Sequence, residues 1–350
     1  MKIPIIADTH VGVRNNNSIF HDYQQDFFDN QFFPYIDEHD YKIVVHLGDH
    51  LDNRKTTNVL TSQKFDEMWT QPLINRGMTE HGIIGNHTVY YKNTNTVNSL
   101  SHIYNKGNGL ILYDIHPKEV EIGGILWGMV PWITADNQEE CFDFIKNTKA
   151  EILCGHFEIM GFYMDGGHKC EGGISVTDLK RFKRVFSGHF HKKQTVANIS
   201  YLGTPYDMTF TDLGETKGFH IFDTETLDLE FIPNPNKLFH KIYYDDFNDP
   251  DILEKDYSFV KNCFVRLIVL HKKDHAKFDM LLDKLEDAEM YRLQIAETVN
   301  ESEINGTSEV DMSQSTIDIV HTHIDGLQNI ADSIGVKDIM NKLYIEAMNL

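Results

Sequence analysis

Short apolar runs, each closed by a polar or glycine-containing cluster, recur along the first two thirds of the chain. Such runs at residues 2–7, 42–47, 82–84, 109–113, 125–130, 151–154, 185–187 and 200–202 predict buried β-strands. Between them the period changes. Phe20, Tyr23, Phe27 and Phe28 fall at helical spacing, and residues 59–74 and 137–149 repeat that spacing less sharply. These phenylalanines read as the core-facing stripe of a helix rather than as a platform for a ligand. Strands alternating with helices predict a layered α/β domain.

The pattern breaks at Ile232-Pro233-Asn234-Pro235-Asn236, a turn-rich boundary. A strand over 263–270 and a helix over 276–289 follow. Residues 300–315 are polar and acidic with almost no aromatics, the composition of a linker. Apolar residues then return at helical spacing: Ile317, Val320, Ile324 and Leu327, then Ile339, Leu343 and Ala347, with Gly335 expected to separate two helices. The expected organisation is a large domain over 1–235, a small α+β domain over 241–299, an acidic linker over 300–313 and a helical segment over 314–350. No internal repeat is evident.

With 350 residues and 41% apolar content, the chain can fill one large core and a smaller one. Its four cysteines are scattered without a C-x-x-C pair, which indicates neither a zinc ribbon nor a disulfide framework and fits a reducing compartment. No run approaches the length of a membrane span, and the strand-like run at 2–7 leads directly into Asp8 without a signal pattern. The expectation is a cytoplasmic protein with no membrane partner. A net charge of −21 repels polyanions at long range. A nucleic-acid substrate would therefore need local basic groups, bound cations or a partner's positive surface. The acidity is densest beyond residue 241, which softens that objection. Lys180-Arg181-x-Lys183-Arg184 reads as a solvated helix face, and His321 and His323 as solvated residues of a helix. Residues 161–173 read as a glycine-rich loop, either at the rim of a site or simply on the surface.

The chemistry lies in five clusters that follow strand-like runs: Asp8-x-His10, Gly48-Asp49, Gly85-Asn86-His87, Gly155-His156 and Gly188-His189-x-His191. Any one alone is a weak signal. Five in succession, each after a strand, predict that the ligands converge at one edge of a sheet, where α/β folds place their sites. Leaving His87 aside, two Asp, one Asn and four His are too many donors for one ion and suit two. Asp8 and His10 alternate along an extended chain and so point to the same side. A carboxylate can bridge two cations, whereas an imidazole offers one lone pair, so Asp49 is the expected bridge. His189 and His191 either reach the two ions separately or share one. His87, beside Asn86, is expected to act on substrate. Oxygen and imidazole donors without thiolate favour manganese, iron or zinc over calcium, and argue less strongly against magnesium. Arg14, Arg54, Lys192 and Lys193 are candidate phosphate contacts near the clusters.

These motifs resemble those of the calcineurin-like metallophosphoesterases. They are Asp8-Thr9-His10-Val11-Gly12, Gly48-Asp49-His50-Leu51-Asp52-Asn53-Arg54, Gly85-Asn86-His87, Gly155-His156-Phe157-Glu158 and Ser187-Gly188-His189-Phe190-His191. Together with Tyr201-Leu202-Gly203-Thr204-Pro205 and Lys217-Gly218-Phe219, they are most similar to the SbcD-type nuclease subunits of double-strand-break repair complexes, and within these to the small subunits of tailed-phage recombination endonucleases. The resemblance implies a metallophosphoesterase β-sandwich flanked by helices, with a small α+β capping domain that binds DNA and a C-terminal helical segment. It implies that Asp8, His10, Asp49 and His191 hold one ion, that Asp49, Asn86, His156 and His189 hold the other, and that His87 is catalytic. It further implies manganese, with magnesium as the alternative, and hydrolysis of DNA phosphodiesters in recombination, repair or replication. The implied partners are a coiled-coil ATPase subunit docked on the C-terminal helices and a second nuclease subunit, in a host cytoplasm if the chain is phage-encoded. The family usually places an acidic residue after Gly-Asn-His, and this chain has Thr88, which leaves the orienting partner of His87 unassigned. The ligand set is shared with enzymes acting on phosphomonoesters or cyclic nucleotides, and a non-catalytic scaffold of the same fold is the remaining alternative.

Overall fold

In the computed structural model, residues 1–103, 109–164, 167–297, 335–337 and 339–340 are described. Fifteen strands are seen among them. Those of the first unit are β1 (Lys2–Ile6), β2 (Ile43–His46), β3 (Thr79–Ile83), β4 (Leu110–Tyr113), β5 (Lys118–Ile122), β6 (Ile125–Val130), β7 (Ile152–Gly155), β8 (Arg184–Ser187), β9 (Gln194–Val196), β10 (Ile199–Tyr201), β11 (Gly218–Asp223) and β12 (Leu229–Pro233). The second unit holds β13 (Phe239–Asp245), β14 (Phe264–His271) and β15 (Arg292–Glu297).

The first unit comprises Met1–Met208 and Gly214–Asn236. Its strands form two six-stranded sheets, ordered β12-β11-β1-β2-β3-β4 and β5-β6-β7-β8-β10-β9. Within each, four neighbouring strands run parallel (β1 to β4, and β6, β7, β8 and β10), and antiparallel strands complete the sheet. The sheets pack face to face. Ile3, Ile5, Val45, Leu47 and Ile83 from one meet Trp127, Met129, Ile152, Cys154 and Phe186 from the other. Strand alternation sends Val44, His46 and Glu80 to the opposite face of the first sheet.

Helical segments cover that outer face. Residues 18–38 and 59–75 are helical throughout, but each contains a π-helical turn, Phe28–Phe32 and Asp66–Thr70. Pro34 and Pro72 follow directly and have no N–H to give to the carbonyl four residues back, so the ladder widens there. The widened turns let Phe28, Phe32 and Phe33 all pack around Trp69, with ring centroids 5.6–6.2 Å apart. Such edge and tilted contacts add about 0.5–1.5 kcal/mol each beyond burial. The helix Gln138–Asn147 covers the second sheet through Cys141 and Ile145.

The second unit comprises Thr209–Leu213 and the chain from Lys237 onward. Its three strands are parallel in the order β13-β14-β15. The helix His275–Asp287, capped by the Asp274 side chain, connects β14 to β15 and buries Phe278, Leu281 and Leu285 on the sheet. Residues 335–337 and 339–340 are helical, with Gly335 inside the first stretch. The expected linker at 300–313 lies outside the described residues, as do His321, His323 and most of the expected C-terminal helices. Among the described residues no helix is long and apolar enough to cross a membrane.

The fold is the expected layered α/β arrangement, with corrections. The ligand-bearing strands belong to two sheets, not one. Strands β5, β9, β11, β12, β13 and β15 carry too few consecutive apolar residues to stand out from sequence. Residues 180–184 do not form a helix face. They are the turn entering β8, and Arg181 donates to the Ile145 and Thr148 carbonyls.

His220 on β11 is buried against Phe231, and its Nδ1 has no hydrogen-bond partner. Burial, with nearby Lys193, pushes its pKa down to about 3. An unfolded histidine titrates near 6.5. The neutral ring therefore supports the fold above pH 6.5, and that support is lost as pH falls toward 3, at about 1.4 kcal/mol per unit. Urea unfolding at pH 7 and pH 5 should show a fall in stability that is smaller in His220→Phe by about 2 kcal/mol. An equal fall in both proteins would refute this assignment.

Candidate metal centre

The seven predicted ligands follow the carboxyl ends of β1, β2 and β3 in one sheet and of β7 and β8 in the other. Four of them occupy backbone that L-residues avoid: Asp8 (φ 53°), His10 (φ 41°), Asp49 (φ 53°) and His189 (φ 91°). Each such residue costs of order 1–3 kcal/mol. Backbone rungs hold the strained loops together beyond the sheet. Asp8 N–H donates to the Gly48 carbonyl (3.1 Å), His10 N–H to Asp49 (2.9 Å) and Val11 N–H to His50 (2.9 Å). Two glycines make room for the ligands. A Cβ on Gly85 would overlap the Asp49 carboxylate, and one on Gly48, at φ 100°, would overlap the His156 ring.

Hydrogen bonds fix which atom of each ligand faces inward. His156 donates Nδ1–H to the Leu47 carbonyl (2.8 Å). Its Nε2 then meets Asn86 Oδ1 at 3.0 Å and Asp49 Oδ2 at 3.1 Å. Asn86 Oδ1 also lies 3.0 Å from His189 Nδ1. His189 donates its backbone N–H to Asp8 (3.0 Å). His10 Nδ1 is 3.1 Å from Asp52 Oδ1, while its Nε2 is buried without a hydrogen-bond partner and 3.8 Å from Asp49 Oδ2. The donor atoms of Asp8, His10 and His191 lie within 4.8 Å of one another, as do those of Asp8, Asp49 and His156. Lone pairs thus converge with nothing positive between them, and the donor set fits divalent cations. Bonding the far nitrogen of His10 to a carboxylate and that of His156 to a carbonyl is the usual way to aim an imidazole at a metal.

The electrostatics agree. Burial opposes ionisation of Asp49, but His156 and His10 outweigh it and hold the carboxyl well below its usual range. Burial raises Asp8. His10 is lifted to about 9 against burial by the Asp52 hydrogen bond and the Asp49 charge, and His156 is raised chiefly by Asp49. His191 is held neutral by burial, helped by His10 and by Lys217, whose ammonium donates to the His191 carbonyl (3.1 Å).

His87 differs from the ligands. Its side chain is 39% exposed, whereas those of His10 and His156 are at most 1% exposed. Its Nδ1–H donates to the Asp52 carbonyl (2.7 Å) and its backbone N–H to Asp49 (2.8 Å), and one of its ring nitrogens lies within 4.8 Å of donor atoms of His10 and Asp49. Thr88 turns away and donates to the Gly85 carbonyl (3.0 Å). The orienting group is therefore the Asp52 main chain, with the Asp52 carboxylate 3.8 Å from Nδ1.

Sequence reasoning gave Asp52 and Lys217 no role. The signals for Asp52 were its place three residues after Asp49 and its inclusion in the Gly48–Arg54 motif. Also missed was a buried layer behind the site. Glu80 accepts from the Trp69 indole (3.0 Å) and lies 2.9 Å from His50, which stacks on His46 at 3.4 Å, and His46 reaches Thr9 (3.1 Å). The four candidate phosphate contacts have protein partners. Arg14 donates to the Met208 carbonyl and Arg54 to that of Val89, Lys192 pairs with Glu215, and Lys193 lies over Phe231.

In metal-free protein at pH 7, His10 carries a proton that cation binding must displace. Calorimetric metal titrations in buffers of different ionisation heat should show release of about one proton from it at pH 7, falling as pH rises through 9. Release independent of pH would contradict the ligand geometry.

No protein-family profile matches the chain. The solved structure of an archaeal phosphodiesterase covers 67% of this chain and 100% of its own, at 13% identity and a TM-score of 0.32. Exonuclease subunit 1 of Enterobacteria phage T4 is 32% identical over 350 residues, covering 99% of both chains. On that near full-length identity, the chain belongs to the phage exonuclease subunit 1 family.

Proposed function

We propose that this chain is the nuclease subunit of a DNA-processing complex, hydrolysing phosphodiester bonds with two divalent cations, manganese foremost. The observation that carries this reading is the approach of Asn86 Oδ1 (3.0 Å) and Asp49 Oδ2 (3.1 Å) to His156 Nε2. Asp8, His10, Asp49 and His191 would hold one ion. Asp49, Asn86, His156 and His189 would hold the other, with Asp49 shared. Bound there, the cation pair acidifies a water and neutralises the phosphate oxygens. The protein supplies the rest. The Asp52 carbonyl accepts the Nδ1–H of His87, so that the protonated ring would turn its Nε2–H to the departing oxygen. The buried ligands keep bulk water from screening the site.

His87→Ala is expected to keep its metal content and lose about 10²–10⁴-fold in manganese-dependent cleavage of end-labelled linear duplex. The wild-type protein should prefer that duplex to nitrophenyl phosphate. Native cleavage by the variant would remove His87 from the mechanism, and preference for the monoester would remove DNA as substrate.

The name of the phage relative, an exonuclease subunit, supports a partner chain. We assign that partner as a coiled-coil ATPase docked on residues 314–350, with residues 241–299 contributing to DNA binding, a second copy of the nuclease subunit beside it, and the host cytoplasm as the setting. The apolar residues at helical spacing in that stretch of sequence suit groove docking. Deleting residues 314–350 should abolish co-purification with the ATPase and spare hydrolysis of bis-nitrophenyl phosphate. Retained co-purification would refute the docking site.

A further inference from the structure

A cleft of about 200 Å³ opens beside the metal centre and includes Trp132, Gln138, Phe142, Phe157 and Glu158 in its lining. His156 lines it too, so cleft and centre share a wall. The Trp132 ring lies 5.1 Å from that of His189 and 5.8 Å from that of His156. The tryptophan is fixed through its backbone. Its N–H donates to the Ile84 carbonyl (3.1 Å), and its carbonyl accepts from the Asn95 (2.7 Å) and Asn137 (3.1 Å) side chains.

Phe142 has no such packing. It stands on the helix Gln138–Asn147, whose core contacts come from Cys141 and Ile145, and it remains 38% exposed. Gln138 and Glu158 add polar groups, and Glu158 Oε1 is 3.5 Å from His189 Nε2. Aromatic surfaces with an amide and a carboxylate match a planar heterocycle, apolar on its faces and carrying N–H and C=O groups on its edge. A phosphate would be repelled by Glu158, and an aliphatic chain would leave both polar groups unmatched.

We propose that this cleft is a nucleobase subsite, in which the base on one side of the scissile phosphate leaves its stack and rests against Trp132 and Phe142, with its edge met by Gln138 and Glu158. This deepens the phosphodiesterase reading and rests on it. Unstacking is least costly in single strands and at frayed duplex ends, so the subsite favours those substrates over internal duplex.

The test uses the full chain with manganese and single-stranded oligonucleotides carrying one abasic position on either side of the cleaved phosphate. Removing the base on one side should lower kcat/KM about tenfold, and removing the other should change it little. In Phe142→Ala the tenfold ratio should collapse toward one, and Gln138→Ala should alter preference among the four bases. Equal rates with and without the base on both sides, or a ratio untouched in a folded Phe142→Ala protein, overturn the subsite. Wild-type hydrolysis of bis-nitrophenyl phosphate separates the two ideas. Turnover there alongside indifference to abasic sites sinks the subsite alone, and no turnover on any diester sinks the phosphodiesterase reading with it.

Discussion

The structure turns on a repulsion. Asp8, Asp49 and Asn86 aim oxygens, and His10 and His156 aim imidazole nitrogens, into one buried volume. In a medium that screens poorly, such a cluster persists only if something positive joins it. Protons fill that role in the metal-free protein, which is why the pKa of His10 is lifted to about 9 and that of His156 is raised. Divalent cations fill it better, because each satisfies several lone pairs at once.

Holding like groups together takes a stiff frame. The two sheets present their carboxyl ends side by side, and the loops beyond them are bound by main-chain rungs that do not depend on the ligands. Left-handed backbone at Asp8, His10, Asp49 and His189 lets each side chain turn back over the sheet edge. Behind these loops the Thr9–His46 contact, the stack of His46 on His50 and the bond from His50 to Glu80 leave little room for retreat. Strain at the ligands and rigidity behind them are two sides of one arrangement.

Much of this was legible in the sequence. A glycine beside a histidine or aspartate after an apolar run is a local signal, and the structure brings residues of all five clusters together. The second sheet was harder to see, because convergence across a sandwich depends on pairing that local patterns do not encode. The edge strands β9 and β12 show half-exposed, mixed residues, so their periodicity is faint. Asp52 illustrates another limit. Its carbonyl, not its side chain, orients His87, and a backbone atom has no sequence signature. Thr88, which looked like a missing carboxylate, instead closes a turn.

Charge bears on how such a site would meet a polyanion. The chain carries −21, and the four cations nearest the clusters in sequence are engaged with carbonyls, a carboxylate and an aromatic ring. Those four charges remain, but they are outweighed at long range by the chain's net negative charge. On the proposed reading, close-range affinity would come from the metal pair and from stacking against Trp132 and Phe142, neither of which requires a basic surface. Capture from a distance would fall to a partner chain. On that reading an acidic chain would have little hold on nucleic acid by itself, and the electrostatics would favour a partner that supplies positive surface.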